Sequence, residues 1–363
     1  MSKLKFLVLG VGGAGCAVLD HIIKSGCCEN ITFVAADTET ESLDSSKAHH
    51  KIPLSLKTVW GRNANSSVKA TGQAVKRAKR DITGYVTNVN MAFIIAGIGR
   101  DTGTGAAPVI ANIIRKMGVL TIGIAYMPFL CNGQNCFEAA RIGLENFKKN
   151  VDSLLVVENE NLVNISDDTL LFSDAYKMAD EVARQVVLGL TGTLSKHGFV
   201  ELSFSELKSA LHGAGTLLMS LGIGEGEERA KLAVQCAMIS KNFPPLPWEA
   251  AKHIVVIMTT GPDVKLQEVM CVANSIKTNL MPATQLIFGH VIDEEDVGES
   301  IKVALFITSY PQYQQFSKYE AASGQQIQDE DDSPILYHSF NTFLEQQAKR
   351  HKIQSTSKST IDA

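Results

Sequence analysis

The sequence has no CxxC pair, no apolar run long enough to cross a membrane, no internal repeat or low-complexity tract, and no excess of positive charge. Each absence removes a class of function. The seven cysteines, at 16, 27, 28, 131, 136, 236 and 271, are scattered and odd in number. That pattern argues against a disulfide frame or a zinc site, and for reduced thiols in a cytoplasmic setting. A net charge of −4 gives no reason to expect nucleic acid or an anionic membrane as the main partner. The N-terminal stretch from Met1 to Gly15 has a short apolar run. It reaches glycines too early for a signal peptide and is too short for direct membrane insertion. What remains is an ordinary globular composition, 45% hydrophobic and 20% charged over 363 residues, long enough for two domains with full cores.

The most informative stretch is AGIGRDTGTGAAP, Ala96 to Pro108. A buried-strand pattern precedes it, Val89–Ala96, and a helical pattern follows, Val109–Gly118. A glycine-threonine turn between a strand and a helix start is where proteins hold phosphate, because backbone N–H groups point outward together there. Thr102 and Thr104 add hydroxyls, while Gly99, Gly103 and Gly105 allow close backbone approach. Arg100 and Asp101 disturb the pattern, since a carboxylate repels phosphate. A tight turn with no ligand is the alternative reading.

The chain opens with a second glycine loop. Lys5–Gly10 reads as a strand, followed by GxGxxG at Gly10, Gly12 and Gly15, a helix ending at Gly26, and the strand Ile31–Asp37. This fits a dinucleotide fingerprint with Asp37 as its acid, and equally any mononucleotide-binding α/β domain. A dehydrogenase remains an alternative, although no acid or base for the nicotinamide side stands out. Further strands are expected at Lys51–Leu56, Val119–Met127 and Asp152–Asn159, with a polar loop over Trp60–Gln73 and helices over Gln73–Val86 and Cys136–Val151. Strands alternating with helices imply a parallel sheet covered on both faces. Leu170–His197 reads as one long amphipathic helix lying between two bodies of the protein, stopped by Gly198. A short helix that Ser205 could cap comes next, then a smaller α+β unit beginning with a strand at Gly213–Gly226. After Pro311 periodicity fades; a short helix is expected at Leu336–Arg350 and disorder in the last dozen residues. The expected division is a nucleotide-binding α/β domain at 1–169, a central helix at 170–200, an α+β domain at 201–312 and a tail at 313–363.

Together these features resemble the tubulin/FtsZ superfamily on its bacterial FtsZ side, from about Lys5 to Tyr310. GVGGAG resembles the family's first nucleotide loop, and GIGRDTGTGAAPVIA its GxGGGTGTGAAPVIA string. Asn150–Val157 and the MTTGPDVKL stretch, Met258–Leu266, also fit. The resemblance implies an FtsZ-like fold, GTP as the cofactor with Mg2+ as an optional companion, and head-to-tail self-association into filaments in cell division or membrane remodelling. In such filaments a loop after the central helix supplies acidic residues to the nucleotide of the next subunit, so hydrolysis requires the polymer.

Residue by residue, the resemblance places the first loop on Gly12, Gly13, Ala14 and Gly15, with Cys16 and Ala17 where the family usually has asparagine. The third loop falls on Arg62, Asn63, Ala64 and Asn65, and Arg100 and Asp101 replace glycines of the TGTG loop. Asn132 and Cys136 stand where a glutamate and an arginine hold the ribose and phosphate side. Tyr176 keeps the base-stacking aromatic, and Asp180 and Glu181 stand for the guanine-reading pair. In the hydrolytic loop the asparagine is Glu201, the first catalytic aspartate is Ser203 and the second is Glu206. Serine cannot polarise water as a carboxylate does, and Glu206 carries one more methylene than aspartate. Weak or absent hydrolysis follows. The alternative is a scaffold or capping partner of a complete FtsZ paralogue that holds no nucleotide. The family's aspartate-isoleucine-proline docking peptide has no match after Asp329.

Overall fold

Apolar runs alternate with amphipathic stretches through the first half of the chain, and in a computed structural model each run is a strand. The structure describes residues 3–26, 30–55, 64–160, 172–195, 198–238, 248–293 and 300–309. The expectations for Cys27, Cys28, Arg62, Asn63 and the tail from 313 onward lie outside the described residues, as do the side chains of Ala64 and Asn65.

The first half runs β1 (Phe6–Val11), α1 (Gly12–Lys24), β2 (Ile31–Asp37), α2 (Thr40–Ser45), β3 (His50–Pro53), α3 (Ala64–Arg77), α4 (Lys79–Val86), β4 (Met91–Gly97), α5 (Asp101–Lys116), β5 (Leu120–Met127), α6 (Gln134–Asn150) and β6 (Ser153–Glu158). Then come α7 (Phe172–Ser195), α8 (Phe204–Leu211), β7 (Gly215–Glu225), α9 (Arg229–Met238), β8 (Ala251–Thr260), α10 (Leu266–Lys277), β9 (Gln285–Ile292) and β10 (Ser300–Ser309). All strands join one ten-stranded sheet in the order β3-β2-β1-β4-β5-β6-β7-β10-β8-β9. β1 to β6 pair in parallel, and β10 lies antiparallel between β7 and β8.

The sheet passes from the first unit to the second. β6 and β7 pair in parallel from Ser153↔Gly215 to Leu155↔Leu217. Asp152 pins this junction: its carboxylate accepts from the Thr121 N–H and Arg115 Nε and lies 3.0 Å from His212 Nδ1. One apolar cluster also spans both halves, with Phe6, Tyr126 and Leu155 from the first, Leu217 and Phe306 from the second, and Ala183, Val187 and Leu190 of α7 between them. The long helix is thus packed as its wide apolar face implies.

Four local expectations are corrected. The polar stretch over Trp60–Gln73 is helical from Ala64, and the helix expected at Gln73–Val86 is divided at Ala78. Burial overrides polarity here: Thr71 is fully buried, and a Cβ at Gly105 of α5 would stand 2.3 Å from the Val68 carbonyl oxygen. The TGTG segment is the first turns of α5, with Pro108 inside the helix. And α8 is capped by Ser203, with Glu206 reciprocating in a capping box, where Ser205 was expected.

Candidate functional site

In the first half the chain winds outward in two directions, β1 to β3 one way and β4 to β6 the other. The reversal falls between β1 and β4, whose carboxyl ends leave the crevice where open α/β sheets hold ligands. Both glycine loops lie there and touch: a Cβ at Gly12, whose φ is +72°, would stand 3.3 Å from Gly103 N and Thr102 Cβ, and one at Gly97 2.7 Å from Ala14 Cβ. Gly15 and Gly103 are required by close packing, since a Cβ would stand 2.3 Å from the Ile95 carbonyl oxygen and 2.0 Å from that of Gly97 respectively. These glycines admit neighbouring backbone.

Three helices begin at the ends of β1, β4 and the turn after β5. The N-caps of α1, α5 and α6 are Val11, Arg100 and Gly133, none making a side-chain cap hydrogen bond. Their first amides are left to other acceptors, the situation that favours an anion. Gly13, Ala14 and Ala17 are exposed on α1, and Asn132 is exposed beside half-buried Cys136 at the start of α6. Thr104 faces inward: its Oγ1 accepts from the Gly99 N–H at 2.8 Å and shapes the loop. Thr102 Oγ1 bonds Thr38 Oγ1 at 2.7 Å, tying the end of β2 to the start of α5. Arg100 and Asp101 carry no backbone strain, because Asn88 is the non-glycine residue at positive φ among the described residues.

A second group gathers where α1 meets α7. Tyr176 is 41% exposed and edge-on to Phe129, ring centroids 5.6 Å apart. One turn on, burial pushes the Asp180 carboxyl up to about 6, with nearby Glu181 adding to the rise and His21 opposing it. Glu181 is not a free reader of a base. It is buried, it accepts from Arg184 and Gln185, and His21 Nε2 stands 3.6 Å away, so these donors hold its carboxyl below the usual range although burial acts the other way. Sequence reasoning missed His21; its signal was its place one turn after Ala17 on the same helix. Cys16 is an inert thiol, pushed up to about 12 by burial first and by Asp37 second, and it donates to the Gly10 carbonyl.

Glu201, Ser203 and Glu206 are not brought to this crevice within one chain. They follow α7, which covers about 28 Å between Tyr176 and Ser195 at 1.5 Å per residue. Ser203 Oγ donates to Glu206 Oε2 at 2.6 Å, and this bond with the Ser203 N–H keeps the exposed Glu206 carboxyl below its usual range.

The geometry has the layout of a known family. Residues 5–167 match the model of the Tubulin/FtsZ family, GTPase domain, and residues 215–310 that of the FtsZ family, C-terminal domain. The chain belongs to the tubulin/FtsZ family. It is 34% identical over 307 residues to cell division protein FtsZ 1 of Thermococcus kodakarensis, covering 84% of this chain and 81% of that one. It is equally identical to cell division protein FtsZ of Rickettsia bellii, of which it covers 66%, and 33% identical to that of Bartonella bacilliformis, of which it covers 51%. The chain therefore spans between half and four-fifths of these relatives' lengths. An empty FtsZ dimer from M. jannaschii superposes with a TM-score of 0.78 at 30% identity, covering 92% of this chain and 96% of that one. CetZ2 from Haloferax volcanii, a GTPγS-bound protofilament, shares the fold at a TM-score of 0.72 and 16% identity. As a tubulin/FtsZ protein, the chain carries a GTPase-family fold in its first half. Among the described residues no helix is long and apolar enough to cross a membrane, and no three metal-ligating side chains cluster.

Proposed function

We propose that the chain binds GTP in the β1/β4 crevice and assembles head to tail into filaments of the cell-division type, with little or no hydrolysis. The observation that carries this reading is the meeting of helix N-termini without side-chain caps where the two glycine loops touch. Phosphates take the α1 and α5 amides. Tyr176 stacks on the base, and ionised Asp180 accepts from the donor edge of guanine. Asn132 and Cys136 line the ribose side. Mg2+ accompanying the phosphates suits hard oxygen donors; Thr38 and Thr102 supply hydroxyls, and buried Asp37 Oδ2 has no hydrogen-bond partner.

Hydrolysis is weak on this reading for a geometric reason. The segment carrying Glu201, Ser203 and Glu206 lies a helix length from the crevice of its own chain, so it serves the nucleotide of the next copy. There it offers a serine bonded to a glutamate in place of a free carboxylate pair. Ser203→Asp combined with Glu206→Asp is expected to raise steady-state GTP turnover by about tenfold or more, since misplaced catalytic groups cost rates of that order. No gain in a chain that binds GTP would move the defect to Arg100 and Asp101.

A second reading has one observation in its favour. Asp101 sits in the first turn of α5 and itself answers the positive end of that helix. A scaffold or capping partner of a complete paralogue, holding no nucleotide, would use the fold in this way. Nucleotide released on denaturing the purified chain, with sedimentation in the presence and absence of GTP, separates the two. Guanine nucleotide with GTP-dependent pelleting supports the first; no nucleotide and unchanged pelleting overturns it.

A further inference from the structure

Residues 198–203, ahead of α8, meet one buried side chain of the distant strand β9. His290 is 2% exposed, and every polar atom of its ring is engaged. Its Nδ1 accepts from the Phe199 N–H at 3.3 Å. Its Nε2 lies 3.0 Å from Thr260 Oγ1 on β8. The Thr260 hydroxyl donates to the Gly261 carbonyl at 2.8 Å, so it has no hydrogen left for Nε2. The tautomer is therefore fixed: Nε2 carries the proton and donates to Thr260, and Nδ1 is the acceptor. Burial holds the imidazole below its usual range, which keeps it neutral near pH 7.

Backbone geometry makes this contact tight. The His290 N–H donates to the Val200 carbonyl at 2.9 Å, and a Cβ at Gly198 would stand 1.8 Å from the His290 carbonyl oxygen. On the residue before His290, a Cβ at Gly289 would stand 2.8 Å from Thr193 Cγ2 and 3.2 Å from Leu202 Cβ. The Phe199 ring stacks on the imidazole, centroids 5.4 Å apart and planes 15° apart, yet stays 68% exposed. A buried polar side chain is thus spent on presenting an exposed aromatic.

We propose that His290 is the positioning residue for segment 198–203, setting Phe199, Glu201 and Ser203 toward the next copy of the chain. The inference rests on the filament reading for what the segment meets, and on the bonds above for how it is held. It acts through the segment and touches no nucleotide, so GTP content is not expected to change with it.

Two substitutions separate the bonds. His290→Asn places an amide oxygen near the Nδ1 position and keeps the acceptor for Phe199. His290→Gln places an amide nitrogen near Nε2, keeps the bond to Thr260 and loses that acceptor. Hydrogen exchange over 198–203 is measured in the full-length parent and both variants, with thermal melts to establish folding, nucleotide content, and the concentration at which GTP-dependent pelleting begins. The expected result is exchange at Phe199 about tenfold or more faster in His290→Gln, the loss of one buried hydrogen bond, with the pelleting threshold raised by about the same factor. His290→Asn stays close to the parent in both. Parent-like exchange in folded His290→Gln, or equal loss in both variants, overturns the hold on the segment. Faster exchange with an unchanged pelleting threshold overturns its role in assembly. A parent that neither holds GTP nor pellets sinks the filament reading and the assembly role with it, and the exchange comparison still decides whether His290 holds the segment.

Discussion

Two adjacent acids on α7 behave oppositely because of what surrounds them. Glu181 meets Arg184, Gln185 and His21 and stays ionised, whereas Asp180 is half-buried and held up at about 6 against an ordinary 3.8, chiefly by burial. The linkage sign follows. Folded chains retain the Asp180 proton through a window in which unfolded chains have lost it. The group thus favours folding fully below about pH 4, and the contribution is lost as pH rises through 6. Asp180→Asn is expected to melt higher relative to the parent at pH 7 than at pH 4, and to lose preference for guanine over adenine nucleotides. A melting difference that is constant across this range would contradict the assigned cause. The sequence named this pair as acids on one helix; that Glu181 is held ionised depended on its donors, among them His21, brought from α1 by packing.

At the scale of the element, one serine answers for the start of α8. Ser203 Oγ accepts from the Glu206 N–H at 3.2 Å, and Glu206 returns a bond to the Ser203 N–H at 3.0 Å. Ser203→Ala is expected to lower stability by about 1 kcal/mol in urea unfolding, the usual worth of such a cap, while Ser203→Asp retains it. Equal losses in the two variants would show that the cap is not what Ser203 contributes. Ser-x-x-Glu is legible as a capping box, so the sequence held this feature, although Ser205, two residues on, was the cap expected. The α3 start was less legible. Its residues are polar and include Gly72, and only the close approach of α5 at Gly105 explains a helix there. The strands needed no such help, because continuous apolar runs such as Met91–Gly97 are buried on both faces.

Across the whole molecule, one sheet and one apolar cluster join the two halves. Cooperative unfolding follows from a shared core. In a Trp60→Phe chain Trp248, packed on the second-half core, is the remaining tryptophan. Its fluorescence is expected to follow the same urea transition as far-UV circular dichroism, and two separated midpoints would show that the halves unfold independently. The sequence by itself determined the strands, the long helix, both glycine loops and the family, since these depend on apolar periodicity and on residue types at fixed spacing. Tertiary structure decided the rest. Gly15 and Gly103 exclude a side chain because of backbone that arrives from other elements, Glu181 is taken by donors that include one from α1, and segment 198–203 is fixed by a histidine about ninety residues further on. Each of these depends on which atoms stand within a few ångströms across the fold, and spacing along a chain does not carry that information.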